Sequence, residues 1–175
     1  LQSQANLAPY QTSGIDFQVD YGLETGIGLL DFRVTGTYLD EYDYLPFSGG
    51  ELIQLAGFFG GDPAFGNPAA FAEWQVNYGV SLTRDDWGAN LTARYMSETD
   101  DIDAAPANLS NVADAITYLD LQGYYNWKDM TFTLGVRNLT DEEPPYVTAY
   151  DDMNTLQFSY DTQGRYIYGR ASINF

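Results

Sequence analysis

The chain has 175 residues, with 25 acidic side chains against 7 basic, no histidine, no cysteine and a net charge of −18 at neutral pH. These counts remove disulfides, thiol chemistry, cysteine metal sites and the commonest general base, and the charge makes nucleic acid a poor partner, because phosphate is bound by Lys and Arg. Yet 15 Tyr, 10 Phe and 3 Trp sit in a chain whose mean hydropathy is −0.30, which suits a sheet that is apolar on one side and wet on the other.

No apolar run reaches the roughly 18 residues of a transmembrane helix, but a barrel strand needs only about 9–11. The sequence starts at Leu1 without a basic region followed by an apolar one, so a signal peptide is expected to lie outside it.

Residues 1–11 are small and polar and read as an incoming loop. From Ile15 the residues alternate as a half-apolar strand does: Ile15, Phe17, Val19 and Tyr21 against Asp16, Gln18 and Asp20. Gly22 to Gly26 reads as a turn, and a second strand returns with Leu30, Phe32, Val34, Gly36 and Tyr38 on its apolar face. Asp40 to about Ala72 reads as a long loop. The third strand sets Trp74, Val76, Tyr78, Val80 and Leu82 apart from Gln75, Asn77, Gly79 and Ser81. After Asp85-Asp86, the fourth carries Trp87, Ala89, Leu91, Ala93 and Tyr95. Glu98 to Ala115 reads as a loop without alternation. The fifth strand has Leu119, Leu121, Gly123, Tyr125 and Trp127, and past Lys128-Asp129 the sixth has Met130, Phe132, Leu134 and Val136. A loop from Asn138 to Gln163 leads to the last strand, where Ile167, Gly169, Ala171, Ile173 and Phe175 oppose Tyr166, Tyr168, Arg170, Ser172 and Asn174.

Short connections follow strands one, three and five, and long ones follow two, four and six. All short turns then fall at one end of the sheet and all long loops at the other, as in bacterial barrels with short periplasmic turns and long extracellular loops. Apolar-face aromatics sort to strand ends: Tyr21, Trp87, Tyr125, Trp127 and Phe175 at the turn end, Tyr38, Trp74 and Tyr95 toward the loops. That is the pattern of two interfacial girdles. A soluble antiparallel sandwich also alternates with period two, but its apolar faces meet each other and its loops need not sort by side. The pattern also predicts that strands five and six pair about Lys128-Asp129, placing Asp120 opposite Arg137.

Leu134-Gly135-Val136-Arg137-Asn138-Leu139-Thr140-Asp141-Glu142-Glu143 resembles the strand-to-loop signature near the end of TonB-dependent outer-membrane receptors. Gly164-Arg165, followed by ten residues to Phe175, and Tyr118-Leu119-Asp120-Leu121 are similar to the same family in order and spacing. The resemblance implies an all-β chain: an antiparallel up-and-down transmembrane segment of about seven strands, the C-terminal portion of a 22-stranded barrel closed around a plug. Residues 1–175 would form that segment, with the plug and earlier strands absent. It further implies a location in the Gram-negative outer membrane, contact with its lipid, and coupling to TonB through the missing plug. The implied activity is energised uptake of a large solute, an iron–siderophore complex or an oligosaccharide. A passive porin is the alternative.

No nucleophile–base pair stands out, so the chain reads as a non-enzyme without a cofactor. Arg33, Arg94, Asp120, Arg137 and Arg170 fall on the polar face, as contacts to plug or solute or as a structural charge ladder. The long loops hold most of the acid. Asp100, Asp101, Asp103, Asp151 and Asp152 are the candidate solute-contacting carboxylates at the rim. Without EF-hand spacing they read as a solvated acidic surface rather than a metal site. Such a rim favours a neutral, cationic or metal-bearing solute over a free polyanion.

Overall fold

A computed structural model describes residues 10–45, 49–60, 69–106, 110–147 and 153–173. Its strands are β1 (Tyr10–Thr25), β2 (Gly28–Tyr44), β3 (Ile53–Gln54), β4 (Phe58–Gly60), β5 (Ala69–Ala70), β6 (Trp74–Arg84), β7 (Trp87–Met96), β8 (Thr99–Asp101), β9 (Val112–Ala113), β10 (Ile116–Trp127), β11 (Met130–Arg137) and β12 (Tyr166–Ile173). The seven long strands form one sheet in the order β1-β2-β6-β7-β10-β11-β12, with every neighbour antiparallel. This is the meander that the alternation predicts. Phe175 lies outside the described residues.

The register carries the apolar residues of all seven strands into common rows. Tyr21 pairs with Phe32, Phe32 with Val80, Val80 with Leu91, Leu91 with Leu121, Leu121 with Val136 and Val136 with Ile167. The next row is wholly different in kind: Gly22, Asp31, Ser81, Asn90, Gln122, Gly135 and Tyr168 follow one another across the same strands. No second sheet covers the apolar face among the described residues, and Ile15, Val19, Leu134 and Ile167 on it are each more than 60 % exposed. A sandwich would bury them. Among the described residues the sheet is therefore a single layer rather than half of a sandwich.

All three short connections are two-residue turns, closed by the pairs Thr25–Gly28, Arg84–Trp87 and Trp127–Met130. Asp85 and Lys128 take positive φ (44° and 54°), as tight hairpin turns demand. The first turn is Gly26-Ile27 rather than Gly22–Gly26, because the Thr25 hydroxyl donates to the Gly28 carbonyl at 2.6 Å and closes the hairpin there. Two glycines mark close approaches on the polar face. Gly88 and Gly135 lie directly opposite Tyr124 and Tyr168, and each ring occupies the space a Cβ would need.

β1 and β2 run longer than expected. Tyr10 and Gln11 are already strand, and β2 continues through Tyr44. Between Ser13 and Gly14 the register shifts, leaving Asp40 as an extra residue on β2. Such a bulge reverses which face later residues take. Tyr42 and Tyr44 therefore fall on the polar side with Tyr10, which stacks on both, and Tyr42 packs on Phe71 at 4.9 Å.

The buried core lies at the loop end. The long connections hold a second, four-stranded sheet in the order β5-β4-β8-β9, in which β4 runs parallel to β8. Phe59, Ala70, Ala113, Val147, Leu156 and Tyr160 pack there against Ile116 and Tyr118 of β10 and Met96 of β7. Ile116, Tyr118 and Met96 stand on the polar side of the large sheet, so the loops turn inward over that side. The stretch 98–115, expected to be plain loop, instead supplies β8 and β9 to this cap.

Candidate functional site

The polar face of the large sheet is a wall of amides, hydroxyls and paired charges. A shallow basin of about 540 Å³ is lined by Asp20, Asp31, Arg33, Asn77, Ser81 and Thr92 among others. Arg33 pairs with Asp20 directly across the hairpin, and the Thr37 hydroxyl donates to Asp16 at 2.6 Å. The Tyr168 hydroxyl reaches over Gly135 to donate to the Gln122 carbonyl oxygen at 2.8 Å. Every one of these links joins polar groups on different strands, so the wall is cross-braced as well as wet.

At the loop end the wall carries a balanced cluster of two arginines and two aspartates. Arg94 of β7 donates through Nε to Asp120 of β10 at 3.0 Å. Its Nη2 lies 3.5 Å from Asp161, and Arg137 of β11 reaches the same carboxylate at 3.8 Å. The Arg94 guanidinium also lies over the Tyr118 ring, 5.1 Å from its centroid. Tyr118 accepts a hydrogen bond from the Asp161 backbone N–H at 3.2 Å. Asp161 thus ties the incoming loop to three strands of the wall.

β10 and β11 pair about Lys128-Asp129 in the expected register. The expected Asp120–Arg137 pair does not form: Asp120 spends one oxygen on Arg94 and the other on the Asn138 backbone N–H, at 2.9 Å. The neighbouring strand β7 offers Arg94 at the diagonal position, and the Asn138 N–H holds the second carboxylate oxygen away from Arg137. Arg33 and Arg94 hold structural pairs, and Arg170 has no ion pair among the described residues. Asp161 is the member that sequence reasoning missed. Nothing local marks it, since its partners stand 67 and 24 residues away by number (Arg94 and Arg137).

The residues that carry the family resemblance form a clasp. Asn138 ends β11 with φ 51° and is fully buried. Its side chain donates to the Glu142 carbonyl at 2.9 Å and accepts from the Glu142 N–H at 2.8 Å, folding the chain back on itself. That turn presents Asp141, which accepts from the Arg165 backbone N–H at 2.8 Å and from its guanidinium at 2.9 Å. The start of β12 is thereby pinned beside the end of β11, which is why Asn, Asp and Arg stand at these spacings.

The Arg165 N–H and guanidinium hold the Asp141 carboxyl below its usual 3.8. A depressed carboxylate contributes its interaction above the unfolded value and loses it as pH falls through the folded one. Amide exchange in residues 153–165 should therefore accelerate as pH drops below about 4, after correction for the intrinsic rate. Asp141→Asn should exchange fast at every pH, with no acid step. A step that persists in Asp141→Asn would assign it to another group.

Of the carboxylates named from the sequence, Asp100 and Asp103 are exposed. Asp101 is not: it is 3 % exposed and accepts the Asp103 N–H at 3.0 Å. Its place in β8, facing the cap, turns it inward and removes it from the rim. Asp151 and Asp152 lie outside the described residues. Among the described residues, no three acidic side chains converge closely enough to hold a metal.

The family comparison now bears on a described sheet. Residues 2–139 match the family model described as TonB dependent receptor-like, beta-barrel. The chain belongs to this family. The match spans β1 to β11 and ends within the Asn138 clasp, so family membership rests on the wall strands more than on the C-terminal motifs. The TonB-dependent receptors are transporters and receptors rather than enzymes, and receptor or transport function follows at that level. No curated protein and no solved structure matches the chain.

Proposed function

We propose that residues 1–175 form a sector of an outer-membrane barrel that takes up a large solute with energy delivered by TonB through a plug domain. The observation that carries this reading is the exposed apolar row from Tyr21 to Ile167, backed on the other face by a braced polar wall. In water such a face would drive aggregation; in a bilayer it is the lipid contact, and the exposed Tyr21, Trp74, Trp87, Tyr125 and Trp127 mark its two margins. β1 and β2, with 16 and 17 residues, exceed the roughly 9–11 needed to cross. They would carry the wall beyond the membrane on the loop side.

Strand direction supports a larger barrel over a ring of copies. β1 and β12 both run from the loop end toward the turn end. Joining the outer edge of one copy's β12 to another's β1 would make a parallel seam in an otherwise antiparallel sheet. An odd number of further strands closes an antiparallel barrel, and fifteen would complete the family's 22. The inward loop cap favours a gated receptor over an open porin. The acid excess supports a neutral, cationic or metal-bearing solute, either an iron–siderophore complex or an oligosaccharide.

This chain contains no cysteine, which gives a clean test. In intact outer membranes, a membrane-impermeant maleimide should label Thr92→Cys readily and Leu91→Cys only after detergent. Equal labelling of the two sites would sink the assignment of faces. Uptake should also stop when the proton-motive force is collapsed, as passive diffusion through a porin would not.

A further inference from the structure

Between the wall and the cap is a niche of about 170 Å³, lined by Gln75, Asn77, Arg94, Tyr118, Tyr160 and Asp161 among others. Its polar groups converge. Gln75 and Asn77 are successive inward residues of β6, and Asn77 pairs directly with Arg94 in the register. Both amide side chains are exposed to the niche side of the wall and make no hydrogen bond among the described residues. The Arg94 Nη2 atom is buried and also lacks a hydrogen-bond partner, since its approach to Asp161 at 3.5 Å is an ion pair without hydrogen-bond geometry. One of these groups, Arg94 Nη2, is buried without a hydrogen-bond partner, which costs stability unless something fills it, and the two exposed amides beside it are free to exchange water for a ligand.

The charges around the niche cancel, Arg94 and Arg137 against Asp120 and Asp161. A charged ligand group would have to displace one of these partners. Amides offer a donor and an acceptor each, the guanidinium offers donors and Asp161 offers an acceptor. Hydroxyl groups donate and accept at once and match that mixture. The Tyr118 and Tyr160 rings supply flat apolar surface beside them. The volume is below the roughly 300–1,000 Å³ of sites that enclose a whole small ligand, so one ring of a longer chain fits, not an entire metal chelate.

We infer that this niche binds a single ring of a neutral, polyhydroxylated solute, which narrows the transported class to an oligosaccharide. The inference rests on the receptor reading above and places the first contact with the solute under the loop cap. Gln75, Asn77 and Arg94 hold the hydroxyls, and Asp161 positions the cap over them.

The test uses the receptor purified from outer membranes and an array of neutral oligosaccharides. Heat-modifiable migration of the same samples reports whether the barrel is folded, and outer-membrane fractionation reports its location, so a failed receptor reading shows there and not on the array. The folded wild type should retain neutral oligosaccharides. Gln75→Ala and Asn77→Ser should each reduce retention at least tenfold, while Thr131→Val, at the turn end of the wall, should leave it unchanged. As a second measurement, the retained sugar should slow maleimide labelling of Gln75→Cys. A folded receptor that retains no neutral oligosaccharide overturns the inference. So does retention unaffected by both substitutions, or labelling of Gln75→Cys unaffected by the sugar.

Discussion

Arginine in place of Val80 should destabilise the receptor in a bilayer by about 2–4 kcal/mol, the cost of a cation near the midplane on a lipid-facing strand. Arginine in place of Ser81, the adjacent residue, should change stability by no more than about 0.5 kcal/mol, as for an ordinary surface position. The contrast comes from the strand's period of two. Val80 stands mid-strand in the row that joins Phe32 to Leu91, and Ser81 faces the polar basin. Denaturant titration of the receptor in lipid vesicles would measure both. Val80→Arg and Ser81→Arg of equal cost would mean that the two faces meet the same medium, and the membrane reading would fall. A third variant, Val80→Thr, separates the cost of the cation from that of altered packing, because it exchanges one methyl for a hydroxyl without introducing a charge.

The long strands were legible because a sheet with unlike faces writes its period into the sequence. β6 shows this best: Trp74, Val76, Tyr78, Val80 and Leu82 face one way without exception, and the strand begins and ends where the alternation does. β1 was read five residues short because Gln11 and Ser13 put polar side chains on its otherwise apolar face. Tyr42 and Tyr44 looked like a decayed pattern because the extra residue Asp40 shifts the period of β2. Beyond the bulge their inward side is the even-numbered one, which had been the apolar side before it. The cap was illegible for a different reason. β4 and β8 have three residues each and pair in parallel across more than 40 positions, from Phe58 to Asp100. Strands that short carry no period, and what stabilises them is the burial of Phe59, Leu156 and Tyr160 from separate connections. The polar-face arginines were readable as a set, but their partners were not. Alternation says which side a charge takes, whereas pairing depends on which of two neighbouring strands offers the better diagonal.

That choice of diagonal sets the effect expected at Asp120. Replacing Asp120 with Ala removes the acceptor of both the Arg94 Nε–H and the Asn138 N–H. Hydrogen bonds to charged groups contribute about 1.5–3 kcal/mol each. The Asp120 and Arg94 side chains are 24 % and 31 % exposed, so solvent screens part of that. A loss of about 2–4 kcal/mol is expected, most of it from the orphaned Asn138 N–H and the half-buried guanidinium. Asp120→Asn should recover part of it, since its amide oxygen still accepts one of the two bonds. Double-mutant cycles then decide between the two candidate partners. Asp120 with Arg94 should show a coupling of about 1–2 kcal/mol, and Asp120 with Arg137 less than about 0.5 kcal/mol. The reverse order would restore the directly opposite pair that strand register alone suggests. It would also release Asp161 from its place between Arg94 and Arg137, and with it the contact by which the last loop is held over the wall.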